Sequence, residues 1–147
     1  MIRPTPELRE SYRHFQAIPT RWADNDVYGH VNNVVYYSYF DTVVNQYLIE
    51  QRALNLATST VIGLVVETQC QYFAPLSFPD VVHAGLRVAK LGNSSVRYEI
   101  GLFRNDENAA SAQGHFVHVY VDRASRRSLA VPADMRLALE KIASTAI

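Results

Sequence analysis

The chain has 147 residues, which fits one domain with a substantial buried core. Hydrophobic residues make up 48% and charged residues 19%, which excludes an intrinsically disordered chain. The 14 basic and 14 acidic residues balance, so the sequence lacks the positive charge typical of proteins that bind duplex nucleic acid or anionic membranes. Cys70 is the only cysteine, which excludes an intrachain disulfide and a multi-cysteine metal site.

The start of the chain has no apolar stretch that would suit a signal peptide. No segment reaches the roughly 18–20 apolar residues of a membrane span. With the single free thiol, these features predict a cytoplasmic protein that does not interact with a membrane. Pro4 and Pro6 predict that residues 1–8 are a loose lead-in to a single domain over residues 1–147.

The first half of the chain predicts one strand and one long helix. Residues 11–22 indicate a strand, in which Pro19 favours a bulge or an edge position. Tyr36, Phe40 and Tyr47 recur at helical spacing, and Asn32 before them is a typical N-cap. The helix is therefore expected from about residue 32 to the low fifties.

The second half predicts four strands joined by short polar turns, which favours an antiparallel meander. Together with the first strand they form a five-stranded antiparallel sheet whose one face is covered by the helix, an α+β fold. Phe103, Phe116 and Tyr120 lie opposite the residues assigned to the core, so both faces carry apolar groups and we expect an oligomer. The predicted strands are 61–73, 81–91, 96–103 and 111–121, followed by a short helix over 132–142.

A set of polar residues directly before the long helix has the composition of an acyl-transfer site. Asp24 and Asp26 are followed by Gly29 and His30. The first turn of a helix has unpaired N–H groups that can polarise a carbonyl oxygen. A nearby carboxylate can then attack the carbonyl carbon or activate water. The residues alone leave both readings of Asp24 and Asp26 open: ordinary turn residues before the helix, or the source of this carboxylate.

The run from Asp24 to Tyr36 (DNDVYGHVNNVVY), followed by Tyr39 and Phe40, resembles the signature of the 4-hydroxybenzoyl-CoA thioesterase-like branch of hotdog-fold acyl-CoA thioesterases. Residues 72–76, 91–95 and 131–132 also match that family, so the resemblance covers nearly the whole chain. It implies a hotdog fold, in which a five-stranded sheet wraps a long central helix. It also implies a homodimer or homotetramer with sites between subunits, and no cofactor besides the coenzyme A of the substrate.

Roles carry over from the resemblance position by position. Asp26, the second aspartate of the Asp-x-Asp pair, corresponds to the catalytic nucleophile or general base, and the backbone N–H groups near Asn33 correspond to the oxyanion donors. Asp24 is then interpreted as a structural residue that hydrogen-bonds the loop. His30 matches the histidine of the motif and is assigned to the catalytic site with them. The expected substrate-binding residues are Tyr28, Gly29, Asn32 and Tyr36, with Arg87, Lys90, Arg126 and Arg127 as candidates for the coenzyme A tail.

The expected reaction is hydrolysis of an acyl-CoA thioester to a free acid and coenzyme A. One alternative is hydrolysis of thioesters on acyl carrier protein, and another is a non-catalytic module that binds an acyl ligand. Glu67 is either a second catalytic acid that faces the helix or a paired structural carboxylate. His83, His115 and His118 have no metal-ligand spacing, so no metal site is predicted.

Overall fold

The computed structural model describes residues 4–144. The first three residues of the predicted lead-in therefore lie outside the described residues. The predicted order of one strand, one helix, four strands and a short helix is confirmed, and the fold is α+β. The elements are β1 (His14–Pro19), α1 (Asn33–Glu50), β2 (Val61–Tyr72), β3 (Val81–Leu91), β4 (Ser95–Arg104), β5 (Ala112–Asp122) and α2 (Ala133–Glu140).

The five strands form one antiparallel sheet in the order β1-β3-β4-β5-β2. The predicted meander is correct for β3, β4 and β5 but wrong for β2, which pairs with β5 instead of β3. The reason lies in the connection 73–80. Its Leu76 is fully buried and its carbonyl accepts a hydrogen bond from Val31 N–H at 2.7 Å, so the chain passes the start of α1 before it enters β3.

The core lies between α1 and one face of the sheet, where Phe40 of α1 packs edge-to-face on Phe116 at 5.4 Å. The sequence pattern predicts Phe116 and Tyr120 on the opposite face, and the structure shows that this is wrong, because both belong to the core beneath α1. Phe116 stands directly across from the buried Tyr98 of β4, and side chains of directly paired residues point to the same face. Phe103 does lie on the other face, where it contacts Tyr12.

Helix α1 has 18 residues and is shorter than predicted, because it ends at Glu50. Arg52 adopts a left-handed φ of 58°, and its N–H donates to the Ile49 carbonyl while the N–H of Ala53 donates to Leu48. These two bonds form a Schellman cap, which stops a helix by satisfying its last carbonyls. No helix within residues 4–144 is long and apolar enough to cross a membrane.

The face of the sheet opposite α1 is partly covered by the chain's own N-terminal segment. Tyr12 lies so close over Gly101 that a Cβ there would be 2.5 Å from its ring. Glu7 N–H donates to the Gln113 side chain, whose amide donates to the Thr5 carbonyl. Residues 5–8 are thus hydrogen-bonded to β5 and its neighbourhood, not loose, and apolar residues on this face do not by themselves require another subunit.

Candidate active site

Residues 25–31 form a tight hairpin directly before α1. Asn25 and Val31 pair in an isolated antiparallel bridge, and Asp26 N–H donates to the His30 carbonyl at 2.9 Å. Gly29 N–H returns to the Asp26 carbonyl at 3.1 Å, with a φ of +84° that favours glycine. The turn leaves Val27 and Tyr28 protruding at the tip, 94% and 84% exposed.

Asp24 lies at the closed, inner end of this segment and is only 1% exposed. Its carboxylate accepts hydrogen bonds from the Arg21 backbone at 2.9 Å and from Tyr39 Oη at 2.9 Å, and forms an ion pair with the Arg21 guanidinium at 2.8 Å. Burial opposes ionisation of this carboxyl, but the hydrogen bonds from Arg21 and Tyr39 together outweigh it and hold the pKa of Asp24 below its ordinary value. Asp24 is therefore a structural anchor.

Asp26 is half-buried, and only one of its carboxylate oxygens is used within the hairpin. Oδ1 accepts a hydrogen bond from Tyr28 N–H at 2.8 Å. Within residues 4–144 no donor hydrogen-bonds Oδ2. Asp26 lines an open pocket of about 460 Å³ together with Trp22, Asn25, Val27 and Gly29. A carboxylate oxygen is thus available to a molecule that enters the pocket.

The start of α1 is tied to the same segment. Asn32 N–H donates to the Asp24 carbonyl at 2.9 Å, and Asn32 Oδ1 caps the helix by accepting from Val34 N–H at 3.1 Å. The amide N–H of Asn33, the first helical residue, has no acceptor in the described part of the chain. Tyr72, at the end of β2, donates its hydroxyl to the Asn33 carbonyl at 3.1 Å. The helix start therefore offers an unpaired donor next to the hairpin that carries Asp26.

The connection 73–80 forms hydrogen bonds to the hairpin through residues that the sequence analysis did not identify. The Ser77 hydroxyl donates to the Gly29 carbonyl at 3.0 Å, and Phe78 N–H donates to Asn25 Oδ1 at 3.0 Å. Trp22 packs edge-to-face on Phe78 at 5.9 Å. Asn25 carries a usable signal, because an Asn between two Asp residues is typical of a side chain that bonds nearby backbone. No comparable signal points to Ser77, since it lies 48 residues from Gly29 in the sequence.

The structure brings most of the predicted site residues together around the hairpin and the helix start. Tyr36 is one turn into α1 and is only 3% exposed, packed edge-to-face on Tyr72 at 4.9 Å. Burial raises the pKa of Tyr36 above its ordinary value, so its hydroxyl stays protonated. The residues in this region are Asp26, Tyr28, Gly29, His30, Asn32, Asn33 and Tyr36.

The predicted basic residues do not join this region within one subunit. Arg87 lies on the sheet face opposite α1, where it pairs with Glu99 at 2.8 Å and stacks over the Tyr12 ring at 4.8 Å. Lys90 is exposed near the end of β3. Arg126 and Arg127 lie in the exposed turn after β5, beside the start of β2.

Glu67 also lies outside this region. Its carboxylate bonds His115 Nε2 at 3.0 Å. His115 stands directly across from Glu99 of β4, which pairs with Arg87 on the sheet face opposite α1. Of the two interpretations of Glu67, the paired structural carboxylate is the one that the structure supports.

Comparison with known proteins agrees with the fold and the motif. The family model of the thioesterase-like superfamily matches residues 20–139. The PA5185 protein from Pseudomonas aeruginosa strain PAO1 is 56% identical with a TM-score of 0.93, and the match covers 98% of this chain and 100% of that chain. The PA2801 protein from Pseudomonas aeruginosa is 30% identical with a TM-score of 0.79, covering 86% and 98%.

A third solved structure, the gentisyl-coenzyme A thioesterase BH1999, is 23% identical with a TM-score of 0.76, covering 86% of this chain and 99% of that chain, and it shares the fold. These matches confirm the resemblance to hotdog-fold thioesterases that residues 24–36 indicate. The chain belongs to the thioesterase-like superfamily, which supports thioester hydrolysis as its general reaction.

Proposed function

We propose that the protein is an acyl-CoA thioesterase that releases a free acid and coenzyme A. The observation that carries the proposal is the juxtaposition of Asp26 and the start of α1. One carboxylate oxygen of Asp26 is free within the described residues, and the Asn33 amide is an unpaired donor. Because the N-terminal end of a helix carries partial positive charge, it favours a thioester carbonyl oxygen that gains negative charge during the reaction.

Two routes use these groups. In the first, an Asp26 oxygen bonds to the carbonyl carbon, the C–S bond breaks, the thiolate of coenzyme A leaves, and water hydrolyses the resulting anhydride. In the second, Asp26 removes a proton from water as the water oxygen attacks, and the thiolate leaves directly. His30 lies on the same hairpin and is proposed to contact substrate, together with Tyr28, Gly29, Asn32 and Tyr36.

The active form is proposed to be a homodimer, or a homotetramer built from such dimers. Strand β2 is 12 residues long, its middle residues Val65 and Val66 are exposed, and none of the described strands pairs with its outer edge. A long apolar edge is a template for another strand. Two copies of β2 can pair antiparallel about a twofold axis perpendicular to the sheet, which joins the two sheets and leaves both α1 helices on the same face.

This pairing would bring two arginines that are distant from Asp26 within one subunit close to the active site of the other. If the two strands pair along their whole length, Val61 of one copy lies beside Tyr72 of the other, and the turn that carries Arg126 and Arg127 approaches the helix start of the partner. We assign these two arginines to the phosphates of coenzyme A, across the dimer. Arg87 and Lys90 have weaker support, since Arg87 is already paired with Glu99.

A second candidate function is favoured by the same turn. Arg123, Arg126 and Arg127 place three positive charges within five residues, and such a cluster also suits the surface of an acidic acyl carrier protein. The non-catalytic alternative predicts saturable binding of an acyl ligand without thiol release.

The experiment that separates these functions measures thiol release from three thioesters of the same acyl group: acyl-CoA, acyl carrier protein and acyl-pantetheine. We expect acyl-CoA to give the highest kcat/KM. The double variant R126A/R127A should raise KM for acyl-CoA about 10-fold and leave acyl-pantetheine unchanged. R13A, which removes an exposed arginine directly before β1, serves as a control for the loss of surface positive charge. Preference for the carrier protein would favour the second candidate, and binding without release would favour the non-catalytic module.

The proposed dimer is tested separately by light scattering coupled to size exclusion. Wild type and L137D, which changes an exposed residue of α2, should both elute as dimers or larger. V66D introduces a charge at the edge of β2 and should shift the mass to that of a monomer, with loss of hydrolysis. A monomeric wild type with full activity would contradict the shared site.

A further inference from the structure

Tyr72, the last residue of β2, contacts the first turn of α1 at two points. Its hydroxyl donates to the Asn33 carbonyl at 3.1 Å, and its ring packs edge-to-face on Tyr36 with the centroids 4.9 Å apart. Asn33 and Tyr36 are three residues apart and lie on the same side of the helix. A single side chain therefore holds both the backbone and a buried side chain of this turn.

The hydroxyl of Tyr72 is a permanent donor. Partial burial raises the pKa of Tyr72 above its ordinary value, and the neighbouring Cys70 thiol adds to the shift. The group therefore stays protonated at neutral pH. The hydrogen bond to Asn33 does not depend on pH in the range where the protein would work.

Tyr72 is itself fixed by the sheet. It pairs with Ala112 of β5, and the N–H groups of Phe73 and Ala74 that follow it both donate to the Ser111 carbonyl, at 2.8 Å and 3.1 Å. Ala112 and Ser111 are buried. The side chain of Tyr72 therefore relates the start of α1 to a rigid part of the molecule.

The first turn of α1 has few other attachments. Asn33 and Val34 are exposed, Val34 by 68%. Within the part of the chain that the structure describes, two hydrogen bonds join residues 32–34 to other segments: Asn32 N–H to the Asp24 carbonyl, and Tyr72 to the Asn33 carbonyl. Helix ends fray because their terminal groups lack partners within the helix. Loss of the Tyr72 bond would leave this turn held from the side of the hairpin alone.

We infer, on the basis of the proposed function, that Tyr72 is a positioning residue for hydrolysis: it holds the backbone of Asn33 so that the Asn33 N–H points at the thioester oxygen that gains negative charge. A donor lowers the barrier most when it already has the right direction as the charge develops. A displacement of about 1 Å can cost about 100-fold in rate. Because Tyr72 acts through Asn33 and does not contact the substrate, it should affect kcat and not KM.

The first test compares wild type, Y72F and Y39F in thiol release from acetyl-, hexanoyl-, decanoyl- and benzoyl-CoA. Each variant keeps the aromatic ring and removes one hydroxyl, but the Tyr39 hydroxyl donates to Asp24 and not to the backbone of α1. Y72F should lower kcat about 10-fold and change KM less than about twofold. Y39F, the matched control, should change both by less than about twofold.

Thermal denaturation of the same proteins separates positioning from stability. Each variant loses one hydrogen bond, so the melting temperature should fall by no more than about 5 °C in either. A purely structural role of Tyr72 would lower the melting temperature without lowering kcat at a temperature where the variant is folded. That result would overturn the inference.

Replacement of Tyr72 by 4-aminophenylalanine separates donation from packing. The amino group takes the place of the hydroxyl and can donate an N–H to the Asn33 carbonyl, so kcat should return to within about threefold of wild type. A kcat as low as that of Y72F would overturn the inference, because it would show that the donor is not the cause of the loss.

The remaining outcomes also decide the matter. Wild-type kcat and KM in Y72F overturn the inference and leave the proposed function intact. A raised KM at unchanged kcat shows that the hydroxyl contacts the substrate, and this too overturns the positioning role. Absence of hydrolysis of every acyl-CoA by wild type overturns the proposed function and the role of Tyr72 together.

Discussion

Asp24 and Asp26 are two residues apart, yet they lie in two regions with opposite properties. The region around Asp24 is closed, because Arg21 and Tyr39 occupy its carboxylate and exclude water. The region around Asp26 is open: the residue lines a pocket, and within residues 4–144 only one of its carboxylate oxygens accepts a hydrogen bond. A buried, fully bonded carboxylate stabilises the loop, whereas a positioned carboxylate with a free oxygen can react. Residue type alone therefore does not assign a role to either aspartate.

The largest expected effect is on the open side. D26A removes the group proposed to attack or to activate water, so kcat should fall by about 10³-fold, which corresponds to about 4 kcal/mol in the barrier. The free energy of unfolding should fall by no more than about 1 kcal/mol, because the only bond lost within residues 4–144 is the exposed one from Tyr28 N–H. Steady-state thiol release and urea denaturation measure the two quantities, and a folded D26A that hydrolyses at the wild-type rate would refute the assignment.

Substitution of Asp24 should lower the stability of the protein, whereas substitution of Asp26 should lower its activity. D24A leaves Tyr39 and the Arg21 backbone without their shared acceptor, so the free energy of unfolding should fall by about 2 kcal/mol. Urea denaturation at pH 7 measures this loss. D24N keeps the shape but not the charge and serves as the control, with a smaller loss. A D24A protein as stable as wild type would break the contrast between the two regions.

The pH dependence of stability also tests the structural role of Asp24. The pKa of Asp24 is lowered in the folded state, so its contribution is complete above the unfolded value near 3.9 and is lost as the pH falls through the folded pKa. D24N should therefore lose less stability than wild type between pH 5 and pH 2, measured by thermal denaturation. Equal losses of stability with falling pH in wild type and D24N would contradict this role of Asp24.

His118 is a buried polar group that, unlike Asp24, lacks a compensating bond. Its Nε2 has no partner within the described residues, and its ring lies between those of Tyr98 and Phe116. Burial lowers the pKa of His118 to about 4, so the folded protein keeps it neutral while the unfolded chain takes up a proton below about pH 6.5. Stability should fall as the pH drops from 7 to 5, by about 2 kcal/mol from this residue. In urea denaturation at pH 7 and pH 5, the free energy of unfolding of H118F should fall by about 2 kcal/mol less than that of wild type. An equal fall in both proteins would contradict the role assigned to His118.

The smallest effect expected is that of Y39F. It removes one hydrogen bond to Asp24 and keeps the ring in the core, so the free energy of unfolding should fall by about 1 kcal/mol. Hydrolysis should stay within twofold of wild type. A 100-fold loss of kcat at unchanged stability would place Tyr39, and with it Asp24, in the chemistry.

Local sequence signals predicted the helix start and the family correctly. Asn32 is the N-cap, and Gly29 is the one glycine with a positive φ among residues 4–144, both as their residue types favour. The distinction between Asp24 and Asp26 followed from the motif. The partners of Asp24 were not predicted, because Tyr39 reaches it across a turn of helix that sequence spacing does not reveal.

The errors arose where distant segments decide the outcome. The partner of β2 depends on where Leu76 is buried, and the side on which Phe116 points depends on its register with Tyr98. The end of α1 was missed because Arg52, not glycine, takes the left-handed position. Residues 5–8 look like a loose lead-in until Gln113 of β5 is known to bond them.

The most direct test of the central claim is a single-turnover measurement with enzyme in excess over an acyl-CoA that wild type hydrolyses. This design isolates cleavage of the thioester from product release. The rate constant for thiol release should fall by about 10³-fold in D26N and by less than 10-fold in D24N, with substrate still bound by both. Equal rate constants for wild type and D26N would show that the carboxylate beside the helix start does not cleave the thioester.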